Sequence, residues 1–390
     1  MPSLTEKLRM LDAAATKPPV AQPKETPQAA PACHHVSARF SAGSFSSFRH
    51  MQAPVLQTIF GVPFPTGVKP EDLLFLDTET TGLAGGAGTL AFQVGVGYLA
   101  KGQFVVEQFL MRDYPEEEPM LAQVAALMRA FPVWVTFNGR TFDIPLLENR
   151  FIMNRVANRP SPTAHADVLH PARRVWKLRL GRCTLQRLEQ AVLGVAREDD
   201  LPGEQVPRTF FRYLQNHDFG PMEQILAHNR QDVVSLAQLF FYLCMAFDRP
   251  ENTPAEPEDL LSLAKAAKRQ GDEALSKKCY RLAAGTARRS EAFAALAAQE
   301  KREGNAQRAA KLYAAMLARG EHPIDACEAL AKLCEHQLRN PEQALAYTRQ
   351  ALLLAAEPTL QADDAVQSRR NALQYRYARL RRKIVGDGNT

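Results

Sequence analysis

Acidic residues stand in positions where carboxylates could share a metal ion. Asp77 and Glu79 lie one residue apart in the run LFLDTETTGL, directly after four apolar residues. On a β-strand this spacing points both side chains to the same face. Two carboxylates on one face of a buried strand repel each other, so a divalent cation with oxygen ligands is the simplest compensating charge. The alternative is a strand end whose acids merely reach solvent.

Two later segments carry further candidates. FNGRTFDIPLL fits an N-x3-F-D pattern with Asn138, Phe142 and Asp143, after a predicted strand and at a predicted helix start. HNRQDVVSLAQLFFYL predicts a helix with Asp232 in its N-terminal turn and His228 one turn earlier on the same face. Either aspartate could instead serve only its own helix as a cap or as a dipole-favoured acid. His228 could be an ordinary surface histidine.

In this order, the three segments resemble the exonuclease motifs of DEDD nucleases. Residues 50–247 are similar more widely to the YprB-type ribonuclease-H-like domain, a predicted exonuclease group, in LLFLDTETTGLAGGAGTLAFQVGVGYL, DVLHPARRVWKLRLGRCTLQRLEQAVLGVAREDDLPG and HNRQDVVSLAQL. The resemblance implies that two Mg²⁺ or Mn²⁺ ions, about 4 Å apart, supply the attacking hydroxide and stabilise the leaving 3′-oxygen. The implied metal ligands are Asp77, Glu79, Asp143 and Asp232.

His228 departs from the best-known DEDD subclasses. The resemblance implies that it orients or deprotonates the attacking water. Those subclasses carry either Tyr four residues before the last Asp or His five residues before it. Here His228 stands at the four-residue position and Ala227 at the five-residue position. On a helix that shift moves the ring by about 100°, which leaves the identity of the general base open.

Residues near the acids predict contacts with nucleic acid. In DEDD nucleases the turn after the first two acids meets the terminal nucleotide, which implies contacts from Thr80, Gly82 and Leu83. Asn138 and Phe142 of the second motif are further candidates. A flexible hairpin connection is the alternative for the glycine-rich run that follows the turn.

A basic segment adds to these contacts. Residues 172–187 carry six basic residues and no acid. Arg173, Arg174 and Lys177 surround Trp176, a combination that suits phosphate contact and base stacking on a single strand. A solvated helix face would also explain most of the arginines. Three other acids near these motifs have no assigned role and could be supporting groups or turn formers: Asp167, Asp199 and Asp200.

The elements that must position these residues form a mixed α/β pattern over residues 50–248. Strands are predicted at 73–79, 90–100, 103–111 and 133–138, and helices at 116–131 and 142–153. Three early strands followed by alternating helix and strand are the order expected of a ribonuclease-H-like mixed sheet flanked by helices. Residues 1–49 are expected to be an N-terminal segment with a proline-rich linker at 13–36.

An internal repeat begins after Pro250. Leu-Ala recurs at 263/264, 296/297 and 330/331, and Tyr at 280, 313 and 347, in steps of 33 and then 34 residues. This period predicts tetratricopeptide-like helical repeats over residues 258–356, available to a protein partner. A generic helical bundle is the alternative. The basic tail, 357–390, is expected to be either a capping helix or a second nucleic-acid contact.

Composition limits the class of protein. The net charge of +6 and the pI near 9.0 are weak indications of a polyanionic partner. Six cysteines without CxxC pairing favour a reducing cytoplasm over a disulfide framework. No apolar run approaches the roughly 20 residues of a membrane span, and the N-terminus lacks an apolar signal core. We therefore expect a cytoplasmic protein without a membrane partner.

The resemblance to DEDD nucleases implies a 3′–5′ exonuclease, which we expect to act on single-stranded DNA or RNA. A structure-selective endonuclease on the same fold would use the same acids. A non-catalytic adaptor, in which a degenerate nuclease fold carries the repeats, is the third possibility.

Overall fold

A six-stranded mixed sheet organises the first part of the chain. The computed structural model describes residues 32–41, 51–82, 88–197, 201–356 and 364–387. The strand order is β1-β4-β3-β2-β5-β6. In this order the neighbours β1, β4, β3 and β2 pair antiparallel, whereas β2, β5 and β6 run parallel. The strands are β1 His34–Ser41, β2 Leu73–Thr80, β3 Ala91–Ala100, β4 Gln103–Leu110, β5 Val133–Thr136 and β6 Ala164–Asp167.

The edge strand β1 was not predicted from the sequence. It pairs with β4 along its whole length, from His34 opposite Leu110 to Ser41 opposite Gln103. The sheet therefore starts before residue 50, where the sequence pattern placed its beginning. Residues 13–31 of the expected linker lie outside the described residues.

Helices cover both faces of this sheet, as the sequence predicted. Strand β2 alternates between two buried clusters: Leu73 and Phe75 face one, and Leu74 and Leu76 face the other. This alternation follows from the two-residue period of a strand that is buried on both sides. The flanking helices are α1 Ala53–Phe60, α2 Glu117–Arg129, α3 Asp143–Met153, α4 Leu169–Leu180, α5 Leu185–Leu188, α6 Val206–Asn216 and α7 Gly220–Asp248.

A run of helices follows the sheet. Leu263, Leu296 and Leu330, which recur at the predicted period, are all buried in the first helix of successive helix pairs. The tetratricopeptide assignment stays a prediction. None of the described helices has the length and apolar character needed to span a membrane. The helices are α8 Pro257–Arg269, α9 Glu273–Ala283, α10 Arg289–Arg302, α11 Ala306–Ala318, α12 Pro323–His336, α13 Pro341–Leu354 and α14 Asp364–Asp387.

The buried core continues from the sheet into the first of these helices. One cluster of buried residues includes Phe75 of β2, Trp176 of α4, Phe240 of α7, Leu260 of α8 and Leu296 of α10. Apolar packing is the dominant favourable term in folding, so residues of one cluster stabilise each other. The first helix pair is thus part of the same hydrophobic core as the sheet.

The basic helix α14 packs on the preceding helices. Leu373 and Leu380 are buried against them. Arg369 forms ion pairs with Asp325 and Glu328 of α12, each at 2.5 Å. Two more arginines pair with Glu335. Of the two interpretations of the basic tail, this packing agrees with a capping helix.

Candidate active site

The site lies where helix α7 packs on strand β2. Asp77 and Glu79 continue the face of β2 that α7 covers, because they share the parity of Leu73 and Phe75. The register of β2 against β3 shifts between Glu79 and Thr80. Such bulges re-aim side chains at the end of a strand.

A buried amide network fixes Asp77. Asn229 of α7, fully buried, donates from Nδ2 to Asp77 Oδ2 at 2.9 Å. Its Oδ1 accepts from Gln93 Nε2 at 3.1 Å and from Gln108 Nε2 at 3.0 Å. A Cβ on Gly95 would lie 2.0 Å from Asn229 Oδ1. Glycine at 95 therefore makes room for the amide that orients the carboxylate.

Asp143 is held from two sides. It lies in the first turn of α3 and is 5% exposed, and its Oδ1 accepts from Thr78 Oγ1 at 2.5 Å. The loop before it is fixed by Asp167, whose carboxylate accepts from the backbone N–H groups of Asn138 and Arg140 at 2.9 and 3.1 Å. Asp167 is therefore a positioning residue for the loop that carries Asp143. Asp199 and Asp200 lie outside the described residues.

Asp232 and His228 both contact Arg197. His228 Nε2 lies 3.3 Å from Asp232 Oδ2, as expected for residues one helical turn apart. Arg197 donates from Nη2 to Asp232 Oδ1 and contacts His228 Nδ1 through Nη1 at 3.2 Å. Arg197 also forms a bidentate pair with Glu189, at 2.6 and 2.5 Å, and Glu189 is 1% exposed. The guanidinium thus supplies a positive charge beside the acids.

The electrostatics reflect acids crowded away from water. Burial raises the pKa of Asp77 well above its ordinary value, and the charges of Asp232, Asp143 and Glu79 raise it further, whereas the hydrogen bond from Asn229 lowers it. Burial also raises the pKa of Asp143 to about 6, against the hydrogen bond from Thr78. Burial raises the pKa of Asp232, although His228 and Arg197 oppose that shift.

The donor set fits a hard divalent cation. Ligand atoms of Glu79, His228 and Asp232 lie within 4.8 Å of one another. Carboxylate oxygens suit Mg²⁺ or Mn²⁺, and an added imidazole nitrogen is compatible with Mn²⁺. Asp77 and Asp143 are outside this group of three but close enough to interact electrostatically. A cation at the cluster would offset the repulsion that adds to the effect of burial on the pKa of Asp77.

The residues predicted to contact the terminal nucleotide differ in their exposure to solvent. Thr80 is buried and its Oγ1 donates to Gly82 O at 2.9 Å, so its hydroxyl shapes the turn. Asn138 is exposed in a left-handed conformation, with a φ of 68°. Phe142 is half-buried at the start of α3. Leu83 lies outside the described residues.

The prediction that Trp176 stacks on a nucleic-acid base is wrong. Trp176 is 1% exposed and packs in the core against Tyr242, because it lies on the inner face of α4. Its ring is therefore closed to a nucleic-acid base. Arg173 and Lys177 lie on the exposed face of the same helix, and Arg174 is half-buried, with Nη1 donating to Ile59 O at 3.0 Å.

Sequence reasoning missed three residues of the site. Arg197, Glu189 and Asn229 contact the acids or His228 directly or through one partner. Arg197 opens the run REDDLPG, which resembles a recurring stretch of the YprB-type domain and was the one signal for it. Asn229 directly follows His228 in the third motif, yet nothing in the sequence indicates that it faces Asp77. No feature of the sequence indicated that Glu189 belongs to the site.

Comparisons with known proteins agree with this geometry. A family model described as RNase_H superfamily matches residues 74–244, which include the four acids and His228. The chain is 32% identical over 213 residues to the uncharacterized protein YprB of Bacillus subtilis (strain 168). That alignment covers 54% of this chain and about half, 51%, of the relative. The sheet-containing part of the chain is therefore ribonuclease-H-like in both sequence and fold.

Proposed function

We propose that this chain is a metal-dependent 3′–5′ exonuclease of the DEDD class. The observation that carries the proposal is the meeting of the three predicted motifs at one place: Glu79 of β2 approaches His228 and Asp232 of α7, within electrostatic reach of Asp77 and Asp143. The charges of Asp232, Asp143 and Glu79 add to the larger effect of burial in raising the pKa of Asp77. Such crowding is typical of metal and catalytic sites.

The acids have distinct tasks in this proposal. Asp77, Glu79, Asp143 and Asp232 would hold two Mg²⁺ or Mn²⁺ ions, which supply charge stabilisation and an activated water when bound. Asn229 keeps Asp77 oriented, and Asp167 keeps the Asp143 loop in place. Both positions are fixed before any ligand arrives, which lowers the cost of assembling the site.

His228 is proposed as the group that accepts the proton of the attacking water. Its Nδ1 faces Arg197 and its Nε2 faces Asp232, so the ring is oriented by partners on both sides. Arg197 can only donate, so its contact makes Nδ1 the acceptor and leaves the ring proton of neutral His228 on Nε2, facing Asp232. His228 therefore accepts the proton of the attacking water at Nδ1, once Arg197 has turned away from that nitrogen.

The remaining parts of the chain complete the proposal. Residues 258–356 are proposed to be tetratricopeptide-like repeats that bind a protein partner, supported by the buried Leu-Ala pairs at the repeat period. The four proposed segments are 1–49, 50–248, 258–356 and 357–390, with the first extended by β1 into the sheet. A cytoplasmic location is proposed, and all six cysteines are free and buried, as a reducing compartment allows.

Circular and linear single strands separate the competing functions. Purified protein with Mn²⁺ should shorten linear DNA or RNA from the 3′ end and leave a covalently closed circle intact, because an exonuclease needs an end. Asp77→Asn should abolish the reaction, and Asp113→Asn, at an exposed aspartate outside the acid cluster, should keep it.

Two results would overturn the proposal in different ways. Cleavage of the circle would establish an endonuclease. If neither linear nor circular strands are cut, and calorimetry detects no Mn²⁺ binding, the acids are not a metal site and the adaptor function is favoured.

A further inference from the structure

A second candidate binding site lies outside the acid cluster. A cavity of about 710 Å³ opens between α4 and α8. This volume falls in the range of ligand sites, about 300–1,000 Å³. Five basic side chains line it, and we call them the cavity cations: Arg173, Arg174 and Lys177 from α4, and Lys265 and Arg269 from α8.

The cavity cations differ from the basic residues around them in their partners. Close by, Arg179 of α4 is matched with Asp259 of α8 at 2.8 Å. By contrast, no acidic residue of the described ranges lines the cavity, and none forms an ion pair with a cavity cation. Burial, and then the positive charge of Arg269, lower the pKa of Arg174. Like charges facing each other across two helices cost free energy unless an anion lies between them.

The arrangement of these charges suits a chain of phosphates. Arg173 and Lys177 are four residues apart on α4, and Lys265 and Arg269 are four residues apart on α8. Residues at this spacing are neighbours on one helix face, about 5–6 Å apart at their Cβ atoms. The cavity therefore has a row of two cations on each wall, which a single phosphate would not fill.

The position of the cavity relates it to the acids. Strands β2, β5 and β6 are parallel, so their carboxyl ends lie at one edge of the sheet. Asp77 and Glu79 lie toward that end of β2, and α4 begins at Leu169, directly after β6 reaches it. His170, in the first turn of α4, lines the cavity. The cavity thus begins at the edge of the sheet that carries the acids.

We propose that this cavity binds the sugar–phosphate backbone of a single-stranded nucleic acid, and that α8 completes the binding site together with α4. The helical region then has a direct role in substrate binding besides any protein partner. Recognition is independent of sequence, because the cations contact phosphates and Trp176 is buried away from the bases. The identity of the ligand rests on the proposed nuclease function.

Binding without metal tests this inference separately from catalysis. The full chain, in EDTA, is titrated into fluorescein-labelled oligo-dT and oligo-U, and fluorescence anisotropy is followed over a range of salt concentrations. The variant Lys265→Gln/Arg269→Gln removes the α8 row. The matched control, Lys301→Gln/Arg302→Gln, removes the same charge from exposed positions of α10 outside the cavity.

For the cavity variant we expect about tenfold weaker binding or more, and a salt slope of log K lowered by about 1.4, since each phosphate contact on a single strand contributes about 0.7. Arg173→Gln/Lys177→Gln should reproduce both changes, and the control should show neither. Equal behaviour of cavity variant and control would overturn the inference. So would complete displacement of the strand by millimolar inorganic phosphate, which would indicate a small-anion site. A catalytically inactive protein that still shows the cavity effect would refute only the proposed nuclease function.

Discussion

Asp77, Asp143 and Asp232 are each held by a different kind of partner: an amide, a hydroxyl and a guanidinium. Each partner lies far away in the sequence. The acids themselves were predictable, because their motifs are local and their strand and helix positions follow from short patterns. Asn229 and Arg197 were not, because only the folded chain brings them to the acids.

The amide partner of Asp77 gives a first prediction. Gly95→Ala places a methyl group where Asn229 Oδ1 now lies, so the amide must move and Asp77 loses its hydrogen bond. We expect Mn²⁺ affinity, measured by calorimetry, to fall about 10- to 100-fold, as is usual when a partner of a metal ligand is lost. Gly203→Ala, at a site where the added methyl group meets no atom, is the control. Equal affinities of the two variants would contradict the role assigned to Asn229.

The raised pKa of Asp143 gives a second prediction, for metal-free protein. The pKa is about 6 when folded and about 3.9 when unfolded. Between these values the folded state binds more protons than the unfolded state, so Asp143 lowers stability progressively as pH rises through this window. Asp143→Asn removes that titration and can still accept from Thr78. The variant should therefore be nearly as stable as the parent near pH 4 and more stable near pH 7, by up to about 3 kcal/mol.

Urea unfolding in EDTA at the two pH values measures this difference. The comparison of variant with parent cancels the titration of groups that do not interact with Asp143, and the lower pKa of Asp77 in the variant changes stability in the same direction. If the difference in unfolding free energy is the same at both pH values, Asp143 does not titrate in the window.

At the scale of elements, the charge pattern of α4 does not decide which of its residues face the core and which face solvent. Its sequence has basic residues on all sides of Trp176, but helical periodicity turns the indole into the core and leaves Arg173 and Lys177 outside. Arg179, of the same basic run, is used to bind α8 through Asp259. Strand β1 does alternate, with Val36, Ala38 and Phe40 on its covered face, but this short pattern directly follows the proline-rich segment and was assigned with it to the N-terminal segment.

The ion pair between α4 and α8 gives a third prediction. Asp259 is 4% exposed and accepts from Arg179 Nε at 3.0 Å. Arg179→Met leaves the carboxylate buried without its cation, which should lower the unfolding free energy by about 3 kcal/mol. Arg179→Met/Asp259→Asn should recover part of the loss, because no charge is then stranded.

Chemical denaturation of the single and double variants checks this coupling. Arg288→Met is the matched control, since it breaks an exposed ion pair with Glu258 of the same helix α8. Its effect should be much smaller, because solvent screens that pair. An Arg179→Met variant as stable as the control would show that the buried pair does not hold the helices together.

At the scale of the whole molecule, the sequence predicted the two kinds of architecture and their order, but not how they join. Periodicity reports which face of an element is apolar, and it says nothing about which partner covers that face. Leu263 and Leu296 were recognisable as repeat positions, yet their inclusion in the cluster of Phe75 follows from the tertiary fold alone.

Metal binding gives a prediction for the molecule as a whole. A ligand that binds only the folded state stabilises it by mass action, by about 2.7 kcal/mol at 100 times its Kd. We therefore expect Mn²⁺ to raise the unfolding temperature of the parent and EDTA to reverse the effect. Asp77→Asn should lose this response while Asp113→Asn keeps it. An unfolding temperature that does not respond to Mn²⁺ at any concentration would contradict a folded-state metal site.

The continuous core of sheet and first helices also sets an order of events during synthesis. The four acids and His228 are all synthesised before α8 and α10, so a nascent chain holds every proposed catalytic residue while part of its core, including the surface that Leu260 and Leu296 later cover, is still open. We expect the sheet-containing part of the chain to be incompletely folded at that stage. A ribosome that stalls before these helices would therefore release a chain with the full set of acids but without a closed core, which makes it a target for proteolysis.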